Sequence, residues 1–480
     1  MITHKIYDTH TALKRYLKKI KNKSKYGNIS NHINPAFGNK EKIIEYNKSR
    51  TTGPEPCVCH APSRSLYFDI HGKATACCFN RVHVLGKYPE NSIYEIVNGE
   101  KRSNLQKELC RQNFMYGCQH CHKLIEAGNF EGVEARLYDS LKDQNSTPSE
   151  IVFELDNTCN LECVMCHEEF SSSIAKAKGI KNIEHPYDKE FLKQLEAYIP
   201  TLKVAKFLGG EPFLINIYYE IWDLIIKLNP KCKINLQTNG TVFNDKVKSY
   251  LDKGNLYIGV SIDSLKAETF ESIRINAKLE NVLINLDKFI KLSKKKNNYV
   301  NLSVCPMQQN WDEIPDIVEF CNKKRIFIYF NTVYTEGFAI SDLPENTLKE
   351  ILDKYSSVTF KKSGIIAKRN IRFFENLKSQ IESWYIEKYN YSLQYKKRHK
   401  FNSTQLKDRL LKLTAENKTT QDKLEQAFNF NEKEFMLSDD NISTLEKLQA
   451  DNIIEVAKTE NIEQIRARIF QFIEIGKIGE

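Results

Sequence analysis

The sequence predicts an α/β fold: a parallel sheet or partial barrel, with a cysteine-rich segment before it and a helical extension after it. Three observations carry this. Between residues 151 and 333, six short apolar runs alternate with amphipathic stretches, and six βα units in about 180 residues fit a parallel sheet. Ten of the thirteen cysteines fall between Cys57 and Cys166, with only Cys232, Cys305 and Cys321 beyond. From residue 345 onward the chain turns polar and helical, without strong turn chemistry.

Taken in order, residues 1–54 are predicted as a basic amino-terminal helix around Leu13, Tyr16 and Leu17 followed by a linker, because residues 28–54 carry Gly, Asn and Pro. Residues 55–125 form the cysteine-rich domain. Residues 150–335 form the sheet, with strands expected at Ile151–Leu155, Val204–Leu208, Lys233–Thr238, Leu256–Ile262, Asn301–Cys305 and Ile326–Asn331. Amphipathic patterns at Ile217–Leu228 and Asp312–Asn322 supply helices between them. Residues 345–480 are the helical extension. A chain of 480 residues suits two or three such domains.

Composition bounds the function classes. With 41% hydrophobic and 28% charged residues the chain is a folded one, and its mean hydropathy is −0.51. No stretch nears the ~18 apolar residues of a membrane span, so no membrane partner is expected. The amino terminus lacks the apolar core and small-residue cleavage site of a secretory signal, which makes the cytoplasm the expected compartment. There, thirteen cysteines are not expected to form disulfides, and clustered ones read as metal or redox sites. The net charge of +10 is uneven: residues 1–50 hold twelve Lys/Arg against three Asp/Glu, and residues 361–400 hold eleven against three. Solvated charge accounts for this, the alternative being a surface for an acidic peptide or a polyanion. No nucleic-acid module accompanies it, so nucleic acid is not an expected partner.

The sharpest motif is Cys159-x3-Cys163-x2-Cys166, directly after the first predicted strand of the sheet. That places it at the carboxyl end of a parallel strand, where α/β folds bind ligands. Three thiolates in eight residues suit three corners of an iron–sulfur cubane, leaving one iron open to a small molecule. The alternative is a structural zinc with His167 as fourth ligand. Gly209-Gly210-Glu211-Pro212 follows the second strand. Two glycines let backbone approach a ligand, and Glu211 can pair with an ammonium.

On these residues the chain resembles the radical SAM enzymes, across roughly residues 150–335. The resemblance implies a partial six-stranded (β/α)6 barrel, a [4Fe-4S] cluster on Cys159, Cys163 and Cys166, and S-adenosylmethionine (SAM) gripped through Gly209, Gly210, Glu211 and Pro212. Gln237-Thr238-Asn239-Gly240-Thr241 is similar to the family's ribose-contacting segment, which points to Asn239. Ser261, and Arg274 on the next helix, would reach the ribose or carboxylate. Met165 stands where the family commonly has an aromatic residue, and its apolar body can cover the adenine side. The implied chemistry is reductive cleavage of SAM to a 5′-deoxyadenosyl radical that abstracts hydrogen from substrate. The electron comes from a donor such as flavodoxin or ferredoxin.

The segment before the barrel has its own pattern. Cys59-x12-Gly72-x4-Cys77, followed by Cys118-x2-Cys121, resembles the SPASM and twitch domains that hold auxiliary clusters. Here the match precedes the barrel instead of following it. With no further cysteine run after Cys121 it is closer to the shorter twitch form. This implies one auxiliary [4Fe-4S] cluster on Cys59, Cys77, Cys118 and Cys121, with Cys57, Cys78 and Cys110 as substitutes. A zinc ribbon on the same thiolates is the alternative.

Two strand ends offer catalytic candidates. Cys305 is a candidate hydrogen donor to a substrate radical, against the commoner reading of buried packing. Asp263 is a candidate substrate contact, as is Asn331. Cys232 and Cys321 read as structural, and the aromatic cluster from Trp384 to Tyr395 as helix packing. The expected function is therefore radical SAM chemistry, with peptide modification leading. Oxidation or epimerisation of a sugar or small metabolite is the alternative, and a non-catalytic zinc or iron–sulfur scaffold the rival from another class.

Overall fold

The computed structural model describes residues 39–141, 147–181, 183–361, 363–396, 399–431, 434–437 and 450–477. The helix expected around Leu13 lies outside them. The chain divides into two compact units, Met1–Trp384 and Tyr385–Glu480. Strands of the first unit are, in chain order, β1 (Ser65–Phe68), β2 (Lys73–Thr75), β3 (Gly86–Lys87), β4 (Glu150–Phe153), β5 (Glu162–Cys163), β6 (Val204–Phe207), β7 (Lys233–Thr238), β8 (Leu256–Ser261), β9 (Arg274–Ile275), β10 (Val300–Val304) and β11 (Phe327–Phe330).

All six expected strands form, as β4, β6, β7, β8, β10 and β11, each parallel to its neighbour. The sheet is larger than expected. Its order is β11-β10-β8-β7-β6-β4-β1-β2-β3. β1 pairs parallel with β4, Tyr67 opposite Val152, so the cysteine-rich segment contributes a seventh parallel strand. β2 and β3 then complete an antiparallel edge.

Alternation within the strands gives the sheet two unlike faces. Along β7, Ile234, Leu236 and Thr238 are buried while Lys233, Asn235 and Gln237 are half-buried. A parallel strand apolar on both faces would read as one continuous apolar run. Here the polar positions of neighbouring strands bond one another instead: Gln237 donates to Ser261 Oγ at 2.7 Å, and Ser303 donates to Gln237 Oε1 at 2.7 Å. On the other face Phe207 packs edge-on against Tyr218 and Trp222 of the helix Asn216–Leu228, with ring centroids 5.0 and 5.6 Å away.

Two expectations need correction. Residues 40–49 are not linker but a helix, Lys40–Ser49, whose cap Asn39 accepts from the backbone N–H of Glu41 and Lys42. Its Ile43 and Tyr46 are buried at helical spacing, and Arg50 beyond it is wholly buried in an ion pair with Asp139. The helical extension does not begin a new unit at 345: the helix Glu345–Ser357 and the first part of Gly364–Lys396 belong to the first unit. The second unit is mainly helical, as expected, with one strand pair. Its β12 (His399–Asn402) pairs antiparallel with β13 (Glu434–Leu437). Its helices close on a core of Leu406, Leu424, Ala427, Phe428, Ala457, Ile465 and Ile469.

Candidate active site

Strand ends β4 and β6 bring the cysteine loop and the glycine loop together. Tyr218, wholly buried, holds both: its hydroxyl accepts from Leu155 N–H at 3.0 Å and donates to Leu208 O at 2.6 Å. Gly209 and Gly210 have φ of +76° and +42°, and a Cβ on Gly210 would sit 2.2 Å from Thr158 O. The glycines thus allow close approach to the cysteine loop as well as to any ligand, and Glu211 N–H donates to Thr158 O at 2.8 Å.

Cys159, Cys163 and Cys166 line one cavity of about 570 Å³. Gly209, Gly210, Asn239, Ser261, Arg274 and Cys305 share its wall, as do His167 and Met165. Burial pushes all three loop thiols up, Cys166 to about 12, while Arg274 pulls against the rise at Cys163. Asn239 reaches from β7 across the loop, donating to Asn160 Oδ1 at 2.9 Å.

Glu211 is placed differently from the expectation. It is wholly buried and not part of the cavity wall, accepting from Thr238 Oγ1 and Asn239 N–H at 2.7 Å and from Phe213 N–H at 3.1 Å. Burial pushes its carboxyl up to about 7 against those hydrogen bonds. Its oxygens therefore tie the glycine loop to β7, and Pro212 is buried beside it. Arg274 is not on the helix Ala267–Ile273 but just past it, in β9, where it pairs with Cys163 of β5. Asp263 is wholly buried and outside the cavity wall, and Asn331 is exposed and also outside it.

The second cysteine group comes from three chain segments. Cys59, Cys77, Cys118 and Cys121 line a tight cavity of about 30 Å³ with Ala61, Pro62, Leu105, Leu109 and Phe114. Glu134 and His120 also line it, paired at 3.3 Å. Among the described residues, no three His, Cys, Asp or Glu side chains converge on a site for a single metal ion. Two of the substitutes are removed: Cys57 and Cys110 form a disulfide, contrary to the expectation that no cysteines pair. Their separation of 53 residues conceals a contact made by the helix Glu100–Cys110 packing back on residues 57–64. Cys78 is free but outside this wall. Cys232 and Cys321 are buried, as expected of structural residues.

Both cysteine groups lie in the first unit, and named residues join them. Arg81 donates to Glu154 Oε2 at 2.8 Å and lies 5.2 Å from the Phe170 ring, which lines the larger cavity. Phe79 stacks on His120 at 5.0 Å, and His120 meets Tyr334 of the larger cavity edge-on at 6.3 Å.

Comparison with known proteins follows the same division. A model for the radical SAM superfamily matches residues 154–321. The chain carries a radical SAM domain. A model described as an iron–sulfur cluster-binding domain, SPASM, matches residues 57–122, ahead of the radical SAM domain. GTP 3′,8-cyclase of Clostridium perfringens is 27% identical over 208 residues, 42% of this chain and 62% of that protein. The cyclase of Synechocystis is 29% identical over 186 residues, 38% of this chain and 54% of that one. The chain therefore spans about three fifths of the length of the curated relatives it matches. Among solved structures, anSMEcpe with bound AdoMet aligns at 18% identity and a TM-score of 0.33, covering 42% of this chain and 57% of that one.

A radical SAM domain implies a four-iron cluster and SAM, and a SPASM domain implies further iron–sulfur clusters. The residues present fit both. Each cavity wall carries a set of cysteine thiols, the ligand type that holds iron–sulfur clusters, and only the larger has room for an organic molecule beside them. Sequence reasoning missed Tyr218, Arg81, Glu154 and Tyr334. Tyr218 reads as one more apolar position of an amphipathic helix, and nothing in the sequence marks the other three. Among the described residues no helix is long and apolar enough to cross a membrane.

Proposed function

We propose that this chain is a radical SAM enzyme in which Cys159, Cys163 and Cys166 hold a [4Fe-4S] cluster and the adjoining cavity holds SAM. One observation carries the reading. Three thiols of one loop share a single 570 Å³ cavity with the Gly209-Gly210 backbone, Asn239, Ser261 and Arg274. When bound, the cluster and SAM together supply an electron and a carbon radical able to take hydrogen from an unactivated position. The chain's own residues bind, orient and exclude water. Gly209 and Gly210 offer backbone without side-chain bulk, Ser261 and Asn239 offer polar contacts, and Leu161, Met165 and Val333 close the apolar side.

Cys59, Cys77, Cys118 and Cys121 would hold one auxiliary [4Fe-4S] cluster, thiols being the ligand type of such clusters, while Glu134 and His120 of the same wall pair with each other. Cys305 faces the larger cavity. Its thiol, pushed up to about 12 by burial, keeps its proton and thus a hydrogen to donate to a substrate radical. A flavodoxin- or ferredoxin-type donor supplies the electron.

The leading substrate class is a peptide, supported by a SPASM-type domain whose His120 meets the cavity residue Tyr334. A second reading, a small polar metabolite such as a nucleotide, is favoured by relatives named GTP 3′,8-cyclase and by the polar inner face around Gln237 and Ser303. The test is 5′-deoxyadenosine release by anaerobically reconstituted protein with a strong reductant. Candidate peptides encoded nearby and GTP are each added and examined for a change in mass. Release without substrate, stimulated by one class, assigns it. No release under any reducing condition, from protein with full iron content, overturns the radical SAM reading.

A further inference from the structure

Asp263 lines neither cysteine cavity, yet both its carboxylate oxygens are committed to residues of the larger one. Oδ2 accepts from Arg274 Nε at 2.7 Å, Oδ1 from the Cys305 backbone N–H at 2.7 Å, and its main-chain oxygen from Asn310 Nδ2 at 2.7 Å. Arg274 in turn donates Nη1–H to Cys163 Sγ at 3.7 Å. Asp263 and Arg274 are 0% and 8% exposed at their side chains, so neither charge is screened by water.

We infer that Asp263 is a positioning residue that sets the electron affinity of the cluster on Cys163 by fixing and partly neutralising the Arg274 guanidinium. The inference rests on the proposed function, which puts a cluster on that thiol. A cationic donor on a cluster sulfur stabilises the more negative, reduced state. The carboxylate behind it offsets that charge, so the pair acts as a nearly neutral donor aimed in one direction. Removing either partner alone shifts the balance, in opposite senses.

The test is an EPR-monitored redox titration of reconstituted full-length protein, followed in the signal that SAM addition perturbs. Asp263→Asn leaves the guanidinium uncompensated and should raise the midpoint potential. Arg274→Gln removes the donor and leaves the carboxylate, and should lower it. The double variant should return toward wild type, and Arg274→Lys should recover only part of the Arg274→Gln shift, since a point charge lacks the fork. Opposite shifts at unchanged iron content support the inference. No shift, or shifts of one sign in both single variants, overturns it. Where Asp263→Asn does not fold, the Arg274→Gln and Arg274→Lys pair decides: a downward shift partly restored supports, and no shift overturns. Wild-type protein without a signal dependent on Cys159, Cys163 and Cys166 would overturn the proposed function and this inference with it.

Discussion

The two cysteine sites of the first unit are built on opposite plans. The barrel site takes three thiols from one eight-residue loop and leaves about 570 Å³ beside them, walled by glycine backbone and polar side chains. The amino-terminal site gathers four thiols from three segments and leaves about 30 Å³, walled mainly by Ala, Pro, Leu and Phe with the Glu134–His120 pair. On the proposed function, three thiols with room beside them suit a reaction site, and four thiols with little space suit a site for structure or electrons. Cysteine count alone would not separate them; the space next to the sulfurs does.

The sharpest break in this contrast is removal of the barrel thiols. Cys159, Cys163 and Cys166 replaced together by Ala should abolish SAM cleavage and lower iron from about eight to about four per chain, as one of two four-iron clusters is lost. Iron analysis and 5′-deoxyadenosine assay check it. Gly210→Ala should act nearly as strongly from outside the ligand set. The new Cβ would meet Thr158 O at 2.2 Å, so cleavage should fall more than about tenfold while the amino-terminal iron stays.

Cys118 and Cys121 replaced by Ala should reverse the pattern. About four irons are lost, uncoupled SAM cleavage survives, and product formation on the true substrate stops. Because metal binding and folding are coupled in small domains, both activities are measured on the same folded, iron-loaded variant. Full product formation would make the second site dispensable. Zinc in place of half the iron, in protein purified without oxygen, would replace the cluster there with a metal ribbon.

Two smaller tests sharpen the boundary of each site. Cys57→Ser or Cys110→Ser should leave iron content unchanged, since those sulfurs bond each other. Under oxidising conditions thermal unfolding should show a loss of about 2–4 kcal/mol, the usual worth of such a cross-link; a loss of iron would return them to the ligand set. Tyr218→Phe removes one buried hydroxyl shared by two loops. It should cost about 1–3 kcal/mol of stability, read by denaturant unfolding, with a modest fall in SAM affinity.

Much of this was legible in the sequence because it is local. Six strands announced themselves as short apolar runs, and the cysteine spacing and the Gly209-Gly210 turn are contiguous motifs. What was not legible depends on residues far apart. β1 finds β4 more than 80 positions later, and Cys57 finds Cys110 across 53. The pairing of β12 with β13 spans two intervening helices. Glu211 was recognised but misplaced, because whether a carboxylate faces the ligand or the next strand is decided by Thr238 and Asn239. Asp263 was likewise identified at a strand end, but its hydrogen bonds to Arg274 and the Cys305 backbone, from residues 11 and 42 positions away, were not legible.

The parallel pairing of β1 with β4 also constrains how the protein is made. During synthesis the strand Ser65–Phe68 leaves the ribosome long before Glu150–Phe153 exists to receive it, with its main-chain edge open meanwhile. The amino-terminal cysteines Cys59 and Cys77 flank that waiting strand, yet the residues lining their pocket, from Cys59 to Tyr138, all precede β4. A nascent chain halted before residue 150 therefore already carries the whole lining of the first-translated pocket, and lacks only the partner for the open edge of β1.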